Sequence, residues 1–332
     1  MQASDKILIT GAAGMIGSAL VWELNRRGFS NIIITDVLGT DEKWKNLVPL
    51  QYEDYLGAAQ LLEQLGSDKL SDVKWVFHLG ACSATTEKNA DYLIENNYQY
   101  TQRLAEWALE GNRRFVYASS AATYGDGEMG MDDSHEDLEK YRPLNMYGYS
   151  KHLFDLHAKR RGWLDKIVGL KYFNIFGPNE DHKGDMRSVV HKASSQIRDT
   201  GKVQLFKSYH PDYPDGGQKR DFVYVKDAVT MTLHLAANPD AAGLFNIGTG
   251  KASTWIELVT PIFQTLGKPV EIEFIDMPDV LKGKYQYYTC ADTAHLMATG
   301  WQGPMHSLEE AVGDYVKNYL VPGTRLGEKN GH

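Results

Sequence analysis

The chain has 332 residues, 42% of them hydrophobic and 23% charged, with a net charge of -8. That length suits one large domain or two coupled ones, and the composition is that of a soluble globular protein. The acidic balance argues against a general nucleic-acid or membrane-surface binder, which would present a basic face.

No signal peptide is expected ahead of Lys6-Ile7-Leu8-Ile9-Thr10, and no apolar run approaches the roughly 20 residues of a membrane span. Cys82 and Cys290 lie among apolar or small residues, without Cys-x-x-Cys or histidine partners at ligand spacing. They are expected to be buried reduced thiols, with no disulfide framework and no metal, in a cytoplasmic protein.

In chain order, Lys6 to Thr10 predicts a buried parallel strand, then a glycine loop and a helix through about Arg27. Asn31 to Asp36, Val73 to Leu79, Arg114 to Ser120 and Ile167 to Asn174 predict further strands. Helices are expected at about Glu87 to Gly111 and Tyr147 to Arg161. Nearly continuous apolar strands alternating with helices predict an α/β fold, a Rossmann-type doubly wound parallel sheet covered on both faces. Gly177-Pro178 breaks this pattern; a polar loop through Lys183, a helix near 188–198 and a turn-rich segment from Phe206 to Gln218 follow. Asp221 to Val225 and the helix after it are expected to rejoin the main sheet. Phe245 to Gly250, a helix over 254–266 and Val270 to Ile275 are expected to build a smaller mixed α/β lobe. The expected division is a dinucleotide-binding domain over 1–174, with a return segment at about 220–242. A discontinuous substrate-binding lobe takes 175–219 and 243–320, and 321–332 form a frayed tail.

Gly11, Gly14 and Gly17 follow the first strand and open a helix. The first two let the backbone turn and approach a pyrophosphate, the third allows close helix packing, and the helix N-terminus offers its amides to the phosphates. Gly-x-x-Gly-x-x-Gly spacing marks the short-chain dehydrogenase kind of Rossmann domain. Asp36 at the end of the second strand suits an adenosine ribose and favours NAD. Lys43 and Lys45 suit a 2′-phosphate and favour NADP, although lysines in such a loop are often merely solvated.

Of the 19 tyrosines, Tyr147 alone has a lysine four residues on, Lys151. Chance yields about one such pair in a chain of this composition, so its position carries the weight. Ser119 and Ser120 end a sheet strand, at the carboxyl edge where open α/β sheets bind ligands. Tyr147 and Lys151 open the next long helix. Ser120 can share a substrate proton with Tyr147, while Lys151 bonds the nicotinamide ribose and favours the phenolate. Bringing a tyrosine down by about three pKa units takes roughly 4 kcal/mol. Ser-Lys nucleophilic hydrolysis is the rival, but it would not need the dinucleotide loop.

Tyr117 to Gly125, Pro143 to Lys151 and Tyr172 to Pro178 resemble motifs of extended short-chain dehydrogenases, typical of nucleotide-sugar epimerases. Gly80-Ala-Cys-Ser-Ala-Thr-Thr-Glu87, Asn96 to Tyr100, His182-Lys183-Gly184, Lys219 to Val225 and Leu281 to Gln286 are similar to ADP-glycero-manno-heptose 6-epimerases. The resemblance runs from the glycine loop to about residue 292. It implies an isomerase of lipopolysaccharide core-precursor synthesis that uses NADP, with NAD the alternative. Such an enzyme inverts C6″ of ADP-D-glycero-β-D-manno-heptose through a transient 6″-ketone. A homo-oligomer is expected.

By the same resemblance the catalytic set is Ser120, Tyr147, Lys151 and Lys183, with Lys183 the second acid/base. On residue type alone Lys183 is a lysine in a polar loop. The cofactor wall is implied to be Gly11, Gly14, Met15, Ile16, Gly17, Asp36, Val37, Lys43, Leu79, Gly80, Ala81, Cys82, Ser83, Asn96, Lys151, Ile175 and Lys183. Ser83, Asn174, Asp185, Lys192, Phe206, Lys207, Ser208, Arg220 and Tyr285 are implied to face the sugar nucleotide. Arg220 suits a diphosphate because its planar fork binds two oxygens together. Ala12 and Met15 stand where the family commonly has glycine and phenylalanine. Val37 and Asp185 replace frequent polar and serine residues, and the 207–218 segment is longer than in compact members. A UDP-hexose 4-epimerase shares Ser120, Tyr147 and Lys151 but has no evident need of Lys183. A 4,6-dehydratase carries an Asp-Glu pair where this chain has Ala121-Ala122-Thr123. A non-catalytic dinucleotide-binding protein would not need the intact Ser-Tyr-Lys set.

Overall fold

The computed structural model describes residues 1–282, 285–302 and 305–328. Its first half runs β1 (Lys6–Thr10), α1 (Met15–Arg26), β2 (Ile32–Asp36), β3 (Asp54–Gly57), α2 (Ala58–Gln64), β4 (Val73–His78), α3 (Ala90–Leu93), α4 (Tyr100–Glu110), β5 (Arg114–Ser120), α5 (Met146–Arg160) and β6 (Val168–Tyr172). Then come β7 (Asn174–Phe176), α6 (Val189–Thr200), β8 (Val203–Phe206), β9 (Lys219–Tyr224), α7 (Val225–Ala237), β10 (Gly243–Ile247), β11 (Ala252–Thr254), α8 (Trp255–Thr265), β12 (Ile272–Ile275), α9 (Asp279–Lys282), α10 (Ala294–Ala298) and α11 (Leu308–Tyr315).

Seven parallel strands form the main sheet in the order β10-β6-β5-β4-β1-β2-β3. Every residue of β2, β6 and β10 is buried, as expected of strands covered on both faces. The strand order reverses between β1 and β4, and ligands of such sheets bind at that crevice. A three-stranded sheet, β11-β9-β7, and a two-stranded one, β12-β8, form the rest.

Several local expectations are corrected. Residues 221–225 do not rejoin the main sheet: β9 pairs with β7 and β11 instead. Only the following helix returns, with α7 packed on α1. Conversely β10, expected in the smaller lobe, is an edge strand of the main sheet beside β6. The segment 321–328 is not frayed, because Leu326 is fully buried and its N–H donates to Asn179 Oδ1 (3.1 Å). Residues 329–332 lie outside the described residues. Both cysteines are free but half-buried rather than buried. Among the described residues, no helix is long and apolar enough to cross a membrane.

Candidate active site

The site is built where the loops after β1 and β4 meet. Gly11 has φ +68°, and a Cβ there would lie 2.6 Å from the Gly80 backbone, so the two loops can touch only through glycine. Helix α1 begins after Gly14 with no side-chain cap, which leaves its first N–H groups free for an anion. Asp36 is held by its neighbours: Oδ2 accepts from Ala13 N (2.8 Å), and Oδ1 accepts from Val37 N (2.7 Å) and Lys43 Nζ (2.9 Å). This cradle fits a dinucleotide pyrophosphate and adenosine ribose.

Beneath it lies a chain of hydrogen bonds that the sequence did not signal. Thr10 Oγ1 accepts from Gly80 N (3.0 Å) and donates to His78 Nδ1 (2.6 Å). His78 Nε2 donates to Thr101 Oγ1 (2.8 Å), which donates to Asn97 O (2.7 Å). Burial, with Lys151 nearby, pushes His78 down to about 3, so the ring is a neutral structural link.

The reactive pair depends on the start of α5. Asn145 caps that helix by accepting from Gly148 N (2.8 Å), which places Tyr147 in the first turn. A Cβ on Gly148 would come 2.7 Å from Ala122 O, so glycine allows the helix to press on the turn that follows Ser120. Tyr147 thereby lines the same cavity wall as Ser120. Lys151 does not bond the tyrosine: its Nζ donates to Ala118 O (2.8 Å). Burial raises Tyr147 above the ordinary tyrosine value, with Ser120 opposing the shift. The expected phenolate is therefore not favoured by the protein alone, and further positive charge is required. Burial brings Lys151 down to about 8. Dinucleotide affinity should therefore fall as pH rises through about 8, where this lysine loses its charge. An affinity unchanged between about pH 7 and about pH 10 would show Lys151 still cationic.

One cavity of about 520 Å³ collects these parts. Its wall includes Gly11, Gly14, Met15, Ile16, Gly17, Asp36, Lys43, Leu79, Gly80, Ala81, Ser83, Ser120, Tyr147, Lys151, Asn174, Ile175 and Lys183. Lys183 arrives on the loop after β7, where burial depresses its pKa and Glu180 opposes the shift. Glu180 is fully buried and accepts from Ser188 N (2.7 Å) and Tyr315 OH (3.0 Å), which anchors the loop to α6 and α11. Across the mouth, the Thr85 hydroxyl lies 3.9 Å from Met186 Sδ.

Other expected residues lie elsewhere. Val37 is 65% exposed and contributes only its N–H to Asp36. Asn96 donates to Tyr92 O (2.8 Å), while the buried Asn97 clasps the Cys82 backbone through two bonds (2.8 and 2.9 Å). A wider π turn over Ile94–Gln99 fixes which of the two asparagines points inward, and sequence periodicity gives no warning of it. Asp185 is exposed and its carbonyl accepts from Lys192 Nζ (2.5 Å). Phe206, Lys207 and Ser208 belong to the β8 end, with Lys207 paired to Asp276 (3.1 Å). Arg220 stacks against Tyr285 (5.3 Å) and Trp255 (5.8 Å). None of these residues lines the cavity. Gly283 and Lys284 of the Leu281–Gln286 motif lie outside the described residues.

Behind the wall is a buried ion pair. Lys171 Nζ donates to Asp155 Oδ2 (2.8 Å) and Thr123 Oγ1 (2.7 Å), and both charged side chains have no exposed surface. Tyr117 OH and Ser119 Oγ complete the carboxylate, each at 2.8 Å. Thr123 in turn donates to Ser120 O (2.8 Å).

The chain matches the NAD dependent epimerase/dehydratase family over residues 7–248. It belongs to that family. Two relatives extend the match beyond the family region. An ADP-L-glycero-D-manno-heptose-6-epimerase of Nitratidesulfovibrio vulgaris is 52% identical over 315 residues, covering 95% of this chain and 98% of the relative. One from Fusobacterium nucleatum is 46% identical over 325 residues, covering 95% and 98%. The crystal structure of Helicobacter pylori ADP-L-glycero-D-manno-heptose-6-epimerase superposes with TM-score 0.78 at 25% identity, covering 96% of this chain and 99% of that one. This member of the epimerase/dehydratase family is thus an isomerase, an epimerase that works with a nicotinamide dinucleotide.

Proposed function

We propose that this epimerase inverts C6″ of ADP-D-glycero-β-D-manno-heptose to the L-glycero form, with NADP, in lipopolysaccharide core-precursor synthesis. The observation that carries the mechanism is that Tyr147, in the first turn of α5, and Lys183, on the loop after β7, line one cavity wall. The C6″ hydrogen has no neighbouring carbonyl, so deprotonation alone does not epimerise that carbon. A dinucleotide held by the glycine loop, Asp36 and Lys43 would supply oxidation and re-reduction by hydride at C6″. Tyr147 takes the hydroxyl proton of one epimer, with Ser120 sharing that oxygen. The 6″-ketone then turns its other face, and Lys183 supplies the proton to the alkoxide of the second epimer. Burial lowers Lys183, so its ammonium gives up that proton more readily than a surface lysine's, and its free amine is available as the base of the reverse reaction.

Lys43 favours NADP: it stands in the wall beside Asp36 and offsets the repulsion between that carboxylate and a 2′-phosphate. Arg220 with Tyr285 is assigned to the diphosphate side of the substrate, near Asn174, whose Oδ1 accepts from Thr289 Oγ1 (3.3 Å). A cytoplasmic homo-oligomer completes the reading.

The test is to incubate the protein with ADP-D-glycero-β-D-manno-heptose and follow C6″ configuration by NMR. Turnover of UDP-galactose without inversion at C6″ would sink the assignment. In the same assay Lys183→Met should slow inversion at least about a hundredfold. Full activity in that variant would remove the two-base mechanism.

A further inference from the structure

The loop that carries Lys183 also carries His182, which the reaction above does not use. The His182 ring lines the cavity with Asp36 and Lys43. Its Nδ1 is buried without a hydrogen-bond partner. A proton on that nitrogen would be an unsatisfied buried donor, so the neutral ring carries its proton on Nε2, the nitrogen left to face the cavity. Burial pushes His182 below the ordinary histidine value and maintains this form. The charged groups around the ring are Asp36 at the end of β2, Asp41 and Lys43 just after it, and Lys183 beside it in the chain.

This corner is rigidly assembled. Asn46, itself buried, donates through one amide to Ala13 O (2.9 Å) and Asn179 O (3.0 Å). The glycine loop, the turn bearing Lys43 and the loop bearing His182 are thus tied together by one side chain. Asp36, the natural partner of ribose hydroxyls, already accepts three hydrogen bonds from the protein. What the corner offers in addition is donors, the Lys43 ammonium and the His182 Nε2–H, and donors suit phosphate oxygens.

We propose that His182, together with Lys43, binds the 2′-phosphate of NADP and sets the preference of this chain for NADP over NAD. This rests on the NADP reading above. The dinucleotide pyrophosphate offers the same oxygen chemistry at the uncapped start of α1, and comparing the two cofactors separates the sources. Equilibrium binding of NADP and NAD is measured on the full chain freed of nucleotide, as wild type, His182→Leu and His182→Asn. Wild type should prefer NADP. His182→Leu should lose roughly tenfold in NADP affinity and less than about twofold for NAD, and His182→Asn, which keeps a donor, should fall between. Equal losses for both cofactors would assign His182 to the pyrophosphate and overturn the inference. A wild type that prefers NADP with His182→Leu unchanged overturns the inference alone. A wild type without that preference overturns the NADP reading as well. Should His182→Leu fail to fold, wild-type protection from diethyl pyrocarbonate, mapped by mass spectrometry, decides. Protection of His182 by 2′,5′-ADP but not by 5′-AMP is expected, and equal protection overturns the assignment.

Discussion

Tyr147→Phe is expected to slow epimerisation about a thousandfold while leaving the fold and dinucleotide binding in place. The substitution keeps the ring that packs in the first turn of α5 and removes only the hydroxyl that meets Ser120. Lys151 cannot substitute, because its Nζ is engaged with Ala118 O. Lys183 serves the opposite face in the proposed mechanism and leaves the first proton without an acceptor. Burial raises Tyr147, so reaching a phenolate at neutral pH takes more than the roughly 4 kcal/mol of an ordinary tyrosine. On the proposed mechanism that extra positive charge would come with the cofactor, coupling proton removal to an occupied site. Single-turnover rates with bound cofactor, alongside cofactor affinity, check this. A variant retaining a tenth of the wild-type rate would move the proton acceptor elsewhere.

Lys171→Met should destabilise the protein by about 3–5 kcal/mol, since it leaves Asp155 buried and charged without its partner. The loss would reach the site as well. Thr123 loses the ammonium it bonds to, and Thr123 holds the carbonyl of Ser120. Urea unfolding of the single variant and of Lys171→Met/Asp155→Leu gives the check. Removing both charges should recover much of the stability, because an apolar pair of similar volume avoids the desolvation of two ions. An unchanged midpoint in the single variant would mean that water or another cation reaches Asp155.

The parts legible in the sequence are those whose chemistry is local. The glycine loop, Asp36, Ser120, Tyr147 and Lys151 sit at strand ends and helix starts, which short-range pattern reveals. Lys183 became readable only through its His-Lys-Gly motif, since nothing in a polar loop announces a half-buried lysine in a cavity wall. The rest required long-range pairing. Residues 221–225 and 243–247 look alike as short apolar runs, and pairing with β7 or β6 decides which sheet each joins. Strands β3 and β8 escaped because four residues are too few for a clear period. Asn97, His78, Glu180 and the Lys171–Asp155 pair are polar groups whose meaning lies in partners distant in sequence. Arg220 and Tyr285 do find each other, but outside the cavity that the cofactor residues share.

Asn179 gathers three distant parts of the chain, and it does so in a left-handed conformation (φ 72°) that asparagine tolerates better than most residues. Its side chain donates to Ser18 Oγ (2.9 Å), its carbonyl accepts from Asn46, and its Oδ1 accepts from Leu326 N. The last of these partners follows Asn179 by 147 residues. On a ribosome, the sheet and its glycine loop are synthesised long before the residue that helps to hold the Lys183 loop in place. The glycine loop and the loop that carries Lys183 therefore become complete at different moments in the birth of the molecule, the second only once Leu326 has been made.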